Sequence, residues 1–147
     1  SDYGKDSKNI DKLMAELNRL NIRHNAQSTD TWQDCGRIVQ TKRTIEEQKE
    51  VFGNCCENQG LTILHGHLYL CPFAANATNL KAIPYHSDEI IHLAQHDKVE
   101  LKKLIHNLYF ETAFLKACNS CNGRDHNVEK IKSAVQLKTP VQYDIVT

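Results

Sequence analysis

The chain has 147 residues, a length that fits one domain and buries an ordinary hydrophobic core without the help of a metal. Its 18 Lys and Arg balance 18 Asp and Glu, so the zero net charge argues against a nucleic-acid partner. No apolar run of about 18 residues occurs, and the polar start SDYGKDSKNI lacks the apolar core of a signal peptide. These features predict a cytoplasmic protein with no membrane partner.

The first predicted element is an amphipathic helix over residues 9–20, because apolar side chains recur there at helical spacing. They are Ile10, Leu13, Met14, Leu17 and Leu20. The following IRHNAQ, residues 22–27, predicts a short strand. A helix and a strand are an unusual start for an independent domain, so residues 1–31 are interpreted as the end of an upstream domain.

A polar loop containing Trp32 comes next, and a second helix is predicted over residues 44–52, where Thr44 and Glu47 form a capping-box pattern. The segments LTIL and HLYL then predict a β-hairpin that turns at His65 and Gly66. Gly66 suits the turn because glycine adopts positive φ without steric cost.

The second half of the chain predicts three more helices. Ser87 and the two carboxylates after it indicate a short helix that ends near Leu93. Asp97 and Glu100 resemble a capping pair at the start of a longer helix, whose apolar face is Leu101, Leu104, Ile105 and Leu108. A last helix is marked by Val128, Ile131 and Val135.

The cysteines carry the clearest chemical signal. Cys55 or Cys56 precedes the hairpin, Cys71 closes it, and Cys118 and Cys121 form a distant CxxC pair. Four thiolates gathered at one point repel each other unless a cation accepts them, so the pattern predicts a four-cysteine site for an iron-sulfur cluster or zinc. Three disulfides and buried thiols without a ligand are the alternatives. A hairpin separates the first pair, which is unlike a zinc knuckle and favours the cluster.

Residues beside each cysteine pair add to this prediction. Pro72 and Gly123 follow the two pairs and are interpreted as helix-breaking elements. Arg124 either balances the charge of a cluster or pairs with Asp125.

The remaining candidates have ordinary interpretations. Cys35 has no partner at ligand spacing and is predicted to be a small packed side chain. His65 and His67 suit the surface of the hairpin, and His92 and His96 suit a helix surface at i, i+4 spacing. No phosphate loop or nucleophile motif occurs, so no catalytic residue is predicted.

The motif as a whole resembles a known family. Along the chain the motif is Cys55, ten residues, Gly66, four residues, Cys71, a long gap and then Cys118-x-x-Cys121. This order and spacing is similar to the pattern of the twitch domain, a shortened relative of the SPASM domain. The runs GHLYLCPFAANATNLKAIP and CNGRD add to the resemblance, which covers about residues 32–143. Twitch domains carry an auxiliary cluster after the partial barrel of radical S-adenosylmethionine enzymes.

The resemblance implies a [4Fe-4S] cluster held by Cys55, Cys71, Cys118 and Cys121, with Cys56 as the alternative first ligand and zinc as the alternative occupant. It implies an α+β fold: a small hairpin and several helices around the cysteine site over residues 32–147, preceded over residues 1–31 by a helix-strand remnant of a partial α/β barrel.

The chain lacks the CxxxCxxC motif that binds the radical-generating cluster of that superfamily. The resemblance therefore implies a C-terminal piece of a longer enzyme that is not catalytic alone, or a stand-alone domain that cannot itself start the radical reaction. Its partner would be an upstream barrel of the same polypeptide, which would bind S-adenosylmethionine and an unknown small-molecule or peptide substrate. A zinc-stabilised structural or binding module is the alternative function.

Overall fold

The structure of the protein, a computed structural model, describes residues 2–36, 38–133, 138–140 and 142–146. Over these residues the fold is α+β, as predicted, with four α-helices and two small antiparallel sheets. The elements are α1 (Ile10–Arg19), β1 (Thr31–Gln33), α2 (Ile45–Asn54), β2 (Thr62–Leu64), β3 (His67–Tyr69), α3 (Pro72–Asn79), β4 (Ile90–His92), α4 (Lys98–Phe110) and β5 (Lys130–Lys132). The chain divides into two compact units, Ser1–Asp34 with Glu129–Val141 and Cys35–Val128 with Gln142–Thr147.

The first unit contains α1 and the two-stranded sheet of β1 and β5. Helix α1 forms where it was predicted, but residues 22–27 form no strand, and the described backbone nearby shows only a single bridge between Asp2 and Ser28. The interpretation of residues 1–31 as a barrel remnant therefore stays a prediction. None of the ten residues of α1, all of which the structure describes, is buried.

The pairing of β1 with β5 was not foreseen. Trp32, predicted to lie in a loop, is opposite Ile131 in the register of the two strands. The predicted last helix is therefore wrong at Ile131, and Val135 lies outside the described residues. The apolar side chains at positions 128 and 131 suit a helix locally, but pairing with a strand about 100 residues earlier decides the conformation, and no local pattern reports such a pairing.

The second unit is built on a three-stranded sheet in the order β2-β3-β4. The predicted hairpin is confirmed: Leu64 pairs with His67, and the two residues between them both have positive φ, 50° at His65 and 76° at Gly66. Positive φ at both central positions is the geometry of the type I′ turn, which matches the right-handed twist of the strands.

The third strand, β4, replaces the predicted helix over residues 87–93. Ser87–Glu89 forms a 3₁₀ turn before Ile90 and Ile91 pair with β3, and a second 3₁₀ turn, Leu93–Gln95, follows β4. Both isoleucines are buried. Because β-branched side chains pack well on a pleated surface, burial against β3 outweighs the helix-start signal at Ser87.

Helix α3 was also not predicted, because Pro72 was interpreted as a helix breaker. Pro72 instead occupies the first turn of α3, where its missing N–H costs nothing and its fixed φ suits a helix. The helix buries Ala74, Ala75 and Ala77. Ala75 packs in a small cluster with Tyr69 and Ile90. Ala74 and Ala77 pack in the larger cluster with, among others, Leu68, Leu70, Ile83, Ile91, Leu108 and Leu115.

Helices α2 and α4 begin at the predicted residues. Thr44 and Glu47 form a complete capping box, with a 3.3 Å bond from the Glu47 backbone N–H to the Thr44 hydroxyl and a 2.7 Å bond from the Thr44 N–H to the Glu47 carboxylate. Asp97 caps α4 by accepting from the N–H groups of Val99 and Glu100. Among the described helices, none combines the length and apolar character needed to cross a membrane.

Candidate metal centre

The second unit brings the four predicted ligand cysteines to one cavity. Cys55 follows the last turn of α2, Cys71 precedes α3, Cys118 lies in a 3₁₀ turn over Lys116–Ser120, and Cys121 follows that turn. The cavity holds about 340 Å³ of space free of protein atoms, part of it open to solvent. Its other lining residues are Val51, Phe52, Glu57, Asn58, Phe73, Leu115, Ala117 and Gly123. We call it the four-cysteine cavity.

The other two cysteines do not line this cavity. Cys56 is exposed, and its backbone N–H donates to the carbonyl of Arg124 at 3.1 Å. Cys35 is half-buried, and its carbonyl accepts the N–H of Asn122 at 2.9 Å. The structure therefore places Cys55 rather than Cys56 with the three later thiols. The five cysteines of the predicted site are thiols and not disulfides.

Backbone N–H groups point at two of the four sulfurs. The N–H of Arg124 donates to Sγ of Cys55 at 3.2 Å, and the N–H of Gly123 donates to Sγ of Cys121 at 3.3 Å. Such bonds stabilise a thiolate more than a thiol, because the acceptor then carries charge. One short segment, residues 123–124, thus supports one sulfur from each cysteine pair.

Gly123 makes this arrangement possible. Its φ is +77°, which side chains other than glycine rarely adopt. A Cβ placed there would lie 3.1 Å from the carbonyl oxygen of Val51 in α2 and 3.7 Å from Cβ of Cys55. Glycine therefore lets the segment after the CxxC pair approach the end of α2 closely. Gly123 was predicted to interrupt the regular structure after the CxxC pair, and its positive φ and close approach to α2 are the physical reason.

Burial keeps the thiols of Cys71, Cys118 and Cys121 protonated in the absence of a cation. Burial raises the pKa of Cys121 to about 12 and that of Cys118 to about 11. It also raises the pKa of Cys71, although the amides of Phe73 and Ala74 at the start of α3 partly oppose the rise. Each thiolate would raise the pKa of its neighbours further by repulsion. The site thus favours thiolates only when positive charge enters the cavity.

An arginine that the sequence analysis missed holds the CxxC segment. The Nη1 of Arg43 donates to the carbonyl oxygens of Cys118 and Cys121, both at 2.7 Å. Its Nη2 donates to the side-chain oxygen of Asn122 at 3.0 Å. No sequence motif marks Arg43, which simply precedes the Thr44 cap. Its role depends on contacts with residues about 75 positions later in the chain, which sequence patterns do not report.

A carboxylate missed by the sequence analysis fixes the other end of the same segment. The Oε1 of Glu89 accepts the backbone N–H of Lys116 at 2.8 Å, at the start of the turn that carries Cys118. Burial raises the pKa of Glu89. The Lys116 ammonium pairs with Asp88 at 2.7 Å.

Arg124 pairs with a residue that was not expected. Its Nη1 lies 2.6 Å from Oε1 of Glu57, which also lines the four-cysteine cavity. Asp125 instead accepts the backbone N–H of Asn127 at 2.8 Å. Of the two alternatives for Arg124, the pairing with Asp125 is not observed, because the turn at residues 125–128 directs that carboxylate to its own backbone.

The histidines lie elsewhere. His65 is exposed at the hairpin turn, and the ring of His67 contacts that of His92 on the neighbouring strand, with centroids 4.2 Å apart. The interpretation of His92 and His96 as one helix surface is wrong, since β4 ends at His92. The ring of His96 lies 3.1 Å from Glu100 in α4. None of these four histidines lines the four-cysteine cavity.

The cysteine sulfurs share a cavity but not a single coordination point. Among the described residues, which include all six cysteines, no three His, Cys, Asp or Glu side chains are arranged to hold one metal ion.

Comparison of the chain with protein-family models, with curated proteins and with solved structures finds no match. The function must therefore be argued from the site itself.

Proposed function

We propose that this chain binds a [4Fe-4S] cluster in the four-cysteine cavity and acts as the auxiliary-cluster domain of a radical S-adenosylmethionine enzyme. One observation carries the proposal: thiols from three separate chain segments line one cavity, although position 55 and position 121 are far apart in the sequence. Four soft sulfur donors are the ligand set of iron-sulfur clusters and of structural zinc.

A hairpin lies between Cys55 and Cys71, unlike the short CxxC knuckles of a zinc ribbon, and this supports a cluster over zinc. Zinc needs each sulfur at about 2.3 Å from one point. Among the described residues no three donors have such an arrangement, and this finding by itself favours neither zinc nor a cluster. A core of four irons and four sulfides offers a separate iron to each cysteine.

The chain's own groups would hold the cluster and limit its contact with water. Cys55, Cys71, Cys118 and Cys121 would ligate it as thiolates. The amides of Gly123 and Arg124 would support two of the sulfurs, as partners in the second shell of a metal site do. Phe52, Phe73 and Leu115 provide apolar walls. When bound, the cluster would supply a one-electron redox centre whose potential depends on these contacts.

The link to radical chemistry comes from the resemblance to the twitch motif. Within this proposal, S-adenosylmethionine and a small-molecule or peptide substrate bind an upstream barrel of the same polypeptide, and the auxiliary cluster positions substrate, transfers an electron or stabilises the fold. A cytoplasmic location belongs to the same proposal, because thiols stay reduced there.

The test is anaerobic purification followed by reconstitution with ferrous iron and sulfide. We expect a brown protein with about four irons and four sulfides per chain. Cys71→Ser and Cys118→Ser should lose most of this iron, while Cys56→Ser, which changes an exposed thiol, should retain it. Colourless wild-type protein that takes up no sulfide but binds one zinc ion per chain would overturn the proposal.

A further inference from the structure

The loop that carries the CxxC pair is held from one side by a single arginine. We define the CNSC loop as residues 118–122. The guanidinium of Arg43 donates to two carbonyl oxygens and one amide oxygen in this loop, at 2.7, 2.7 and 3.0 Å. The two carbonyls belong to Cys118 and Cys121 themselves. A planar guanidinium presents its donors in a fixed fork, so three bonds fix both the position and the orientation of the loop.

The backbone around Arg43 is bound to the same loop. The N–H of Arg43 donates to the side-chain oxygen of Asn119 at 2.8 Å, and the N–H and hydroxyl of Thr41 donate to the Asn119 carbonyl at 2.7 and 2.8 Å. Asn119 is a middle residue of the CxxC pair. Residues 41–43 and the CNSC loop are therefore joined by several hydrogen bonds, which involve both side chains and backbone groups.

The residue between these contacts is strained. Lys42 has φ +60°, a left-handed conformation that is strained for a residue with a side chain. Such a conformation persists only when neighbouring contacts require it. Here it turns the chain so that Thr41 and Arg43 both face Asn119. The capping box at Thr44 then begins α2, and Cys55 follows the last residue of that helix, so Arg43 directly precedes the element that leads to the first cysteine of the site.

We propose that Arg43 is a positioning residue for the CxxC half of the metal centre, and that its charge makes reduction of the bound cluster easier. The effect of the charge on reduction of the cluster rests on the proposed function, whereas the positioning role of Arg43 does not. Without the three bonds, the carbonyls of Cys118 and Cys121 lose their common partner and the two thiols lose their fixed spacing. The guanidinium is hydrogen-bonded to the backbone carbonyls of the two cysteines whose thiolates would ligate the cluster. From this position its positive charge stabilises the more negative, reduced state of the centre.

The variants are Arg43→Gln, which removes the charge, and Arg43→Lys, which keeps the charge but not the planar fork. Arg19→Gln is the control, because within the described part of the chain Arg19 forms an ion pair with Glu16 alone, one turn away in α1. Circular dichroism selects the variants that fold. Should Arg43→Gln fail to fold, Arg43→Lys is compared with wild type in its place.

The first measurement uses the protein without a cluster, in a chelator and a reductant. Hydrogen exchange is followed at the amides of Cys118, Asn122 and Gly123, which donate within or beside the CNSC loop. We expect exchange at least tenfold faster in Arg43→Gln, a smaller increase in Arg43→Lys, and no change in Arg19→Gln. Wild-type exchange rates in Arg43→Gln, or in Arg43→Lys if only that variant folds, would overturn the proposal whether or not a cluster binds.

The second measurement uses reconstituted protein. We expect a more negative midpoint potential in Arg43→Gln, a potential close to wild type in Arg43→Lys, and faster loss of iron to a chelator in both. A wild-type potential in Arg43→Gln contradicts the role of the charge. If wild-type protein binds no cluster, the proposed function fails, and the exchange experiment still tests the positioning role of Arg43.

Discussion

The backbone N–H of Arg124 donates to Sγ of Cys55 at 3.2 Å, although 69 positions separate the two residues. The Cys56 N–H returns a bond of 3.1 Å to the Arg124 carbonyl. This exchange gives the adjacent cysteines different environments: the Cys55 sulfur faces a backbone donor and the cavity, and the Cys56 side chain faces solvent.

The two cysteines should therefore respond differently to substitution. We expect Cys55→Ser to lose most of the iron and sulfide that reconstituted wild type retains, because it removes a ligand. Cys56→Ser is the matched control and should retain both. Iron and sulfide analysis after gel filtration gives the result, and loss of iron in Cys56→Ser with retention in Cys55→Ser would reverse the assignment.

Cluster-free protein should lose stability as the pH rises above about 8.5, the ordinary pKa of a thiol. The unfolded chain releases thiol protons there, while burial holds the pKa of Cys118 at about 11 and that of Cys121 at about 12 in the folded state. Each such thiol lowers the free energy of unfolding by about 1.4 kcal/mol per pH unit in this window. The stability that these two protonated thiols contribute is fully present below pH 8.5, and it is lost as the pH rises toward their folded-state pKa values.

Urea unfolding at pH 8, 9 and 10 in a chelator and a reductant measures this dependence. The double variant Cys118→Ala, Cys121→Ala should show a shallower loss of stability over the same range than wild type. Cys56→Ala is the control and should follow wild type. Equal slopes for wild type and the double variant would show that these thiols do not cause the dependence.

Gly123→Ala should destabilise the protein more than Gly66→Ala. Both glycines have positive φ, +77° and +76°, so both variants incur backbone strain of roughly 1–2 kcal/mol. Only at position 123 would the added Cβ meet neighbours, 3.1 Å from the Val51 carbonyl oxygen, while nothing lies within 4 Å at position 66. Chemical denaturation compares them, and an equal loss of stability would contradict the close approach described at Gly123.

The ion pair of Arg124 with Glu57 should tune the potential of a bound cluster. Arg124→Ala keeps the N–H that contacts Cys55 but leaves the Glu57 carboxylate unpaired at the cavity, so we expect a more negative potential. Glu57→Gln should shift the potential in the opposite direction. The double variant should lie between the two single variants. Potentiometric titration of all four proteins tests this, and no shift in either single variant would exclude a role for the pair.

Local signals in the sequence predicted the elements that depend on near neighbours. The capping box at Thr44, the cap at Asp97, the periodicity of α1 and the turn at His65 and Gly66 all involve residues within a few positions of each other. These interactions form in the same way wherever the segment lies in the fold. Sequence spacing also identified the cysteines of the candidate site, with Cys55 and Cys56 left as alternatives for the first ligand.

The tertiary structure decided what depends on distant partners. Trp32 became part of a strand because Ile131 lies opposite it, and Ile90 left a predicted helix because β3 offered an apolar surface. The choice of Cys55 over Cys56 for the cavity and the contacts of Arg43 with the CNSC loop likewise join segments about 70 to 80 positions apart. Sequence spacing predicts which thiols can meet, but burial and backbone donors from remote segments fix which sulfur faces the cavity.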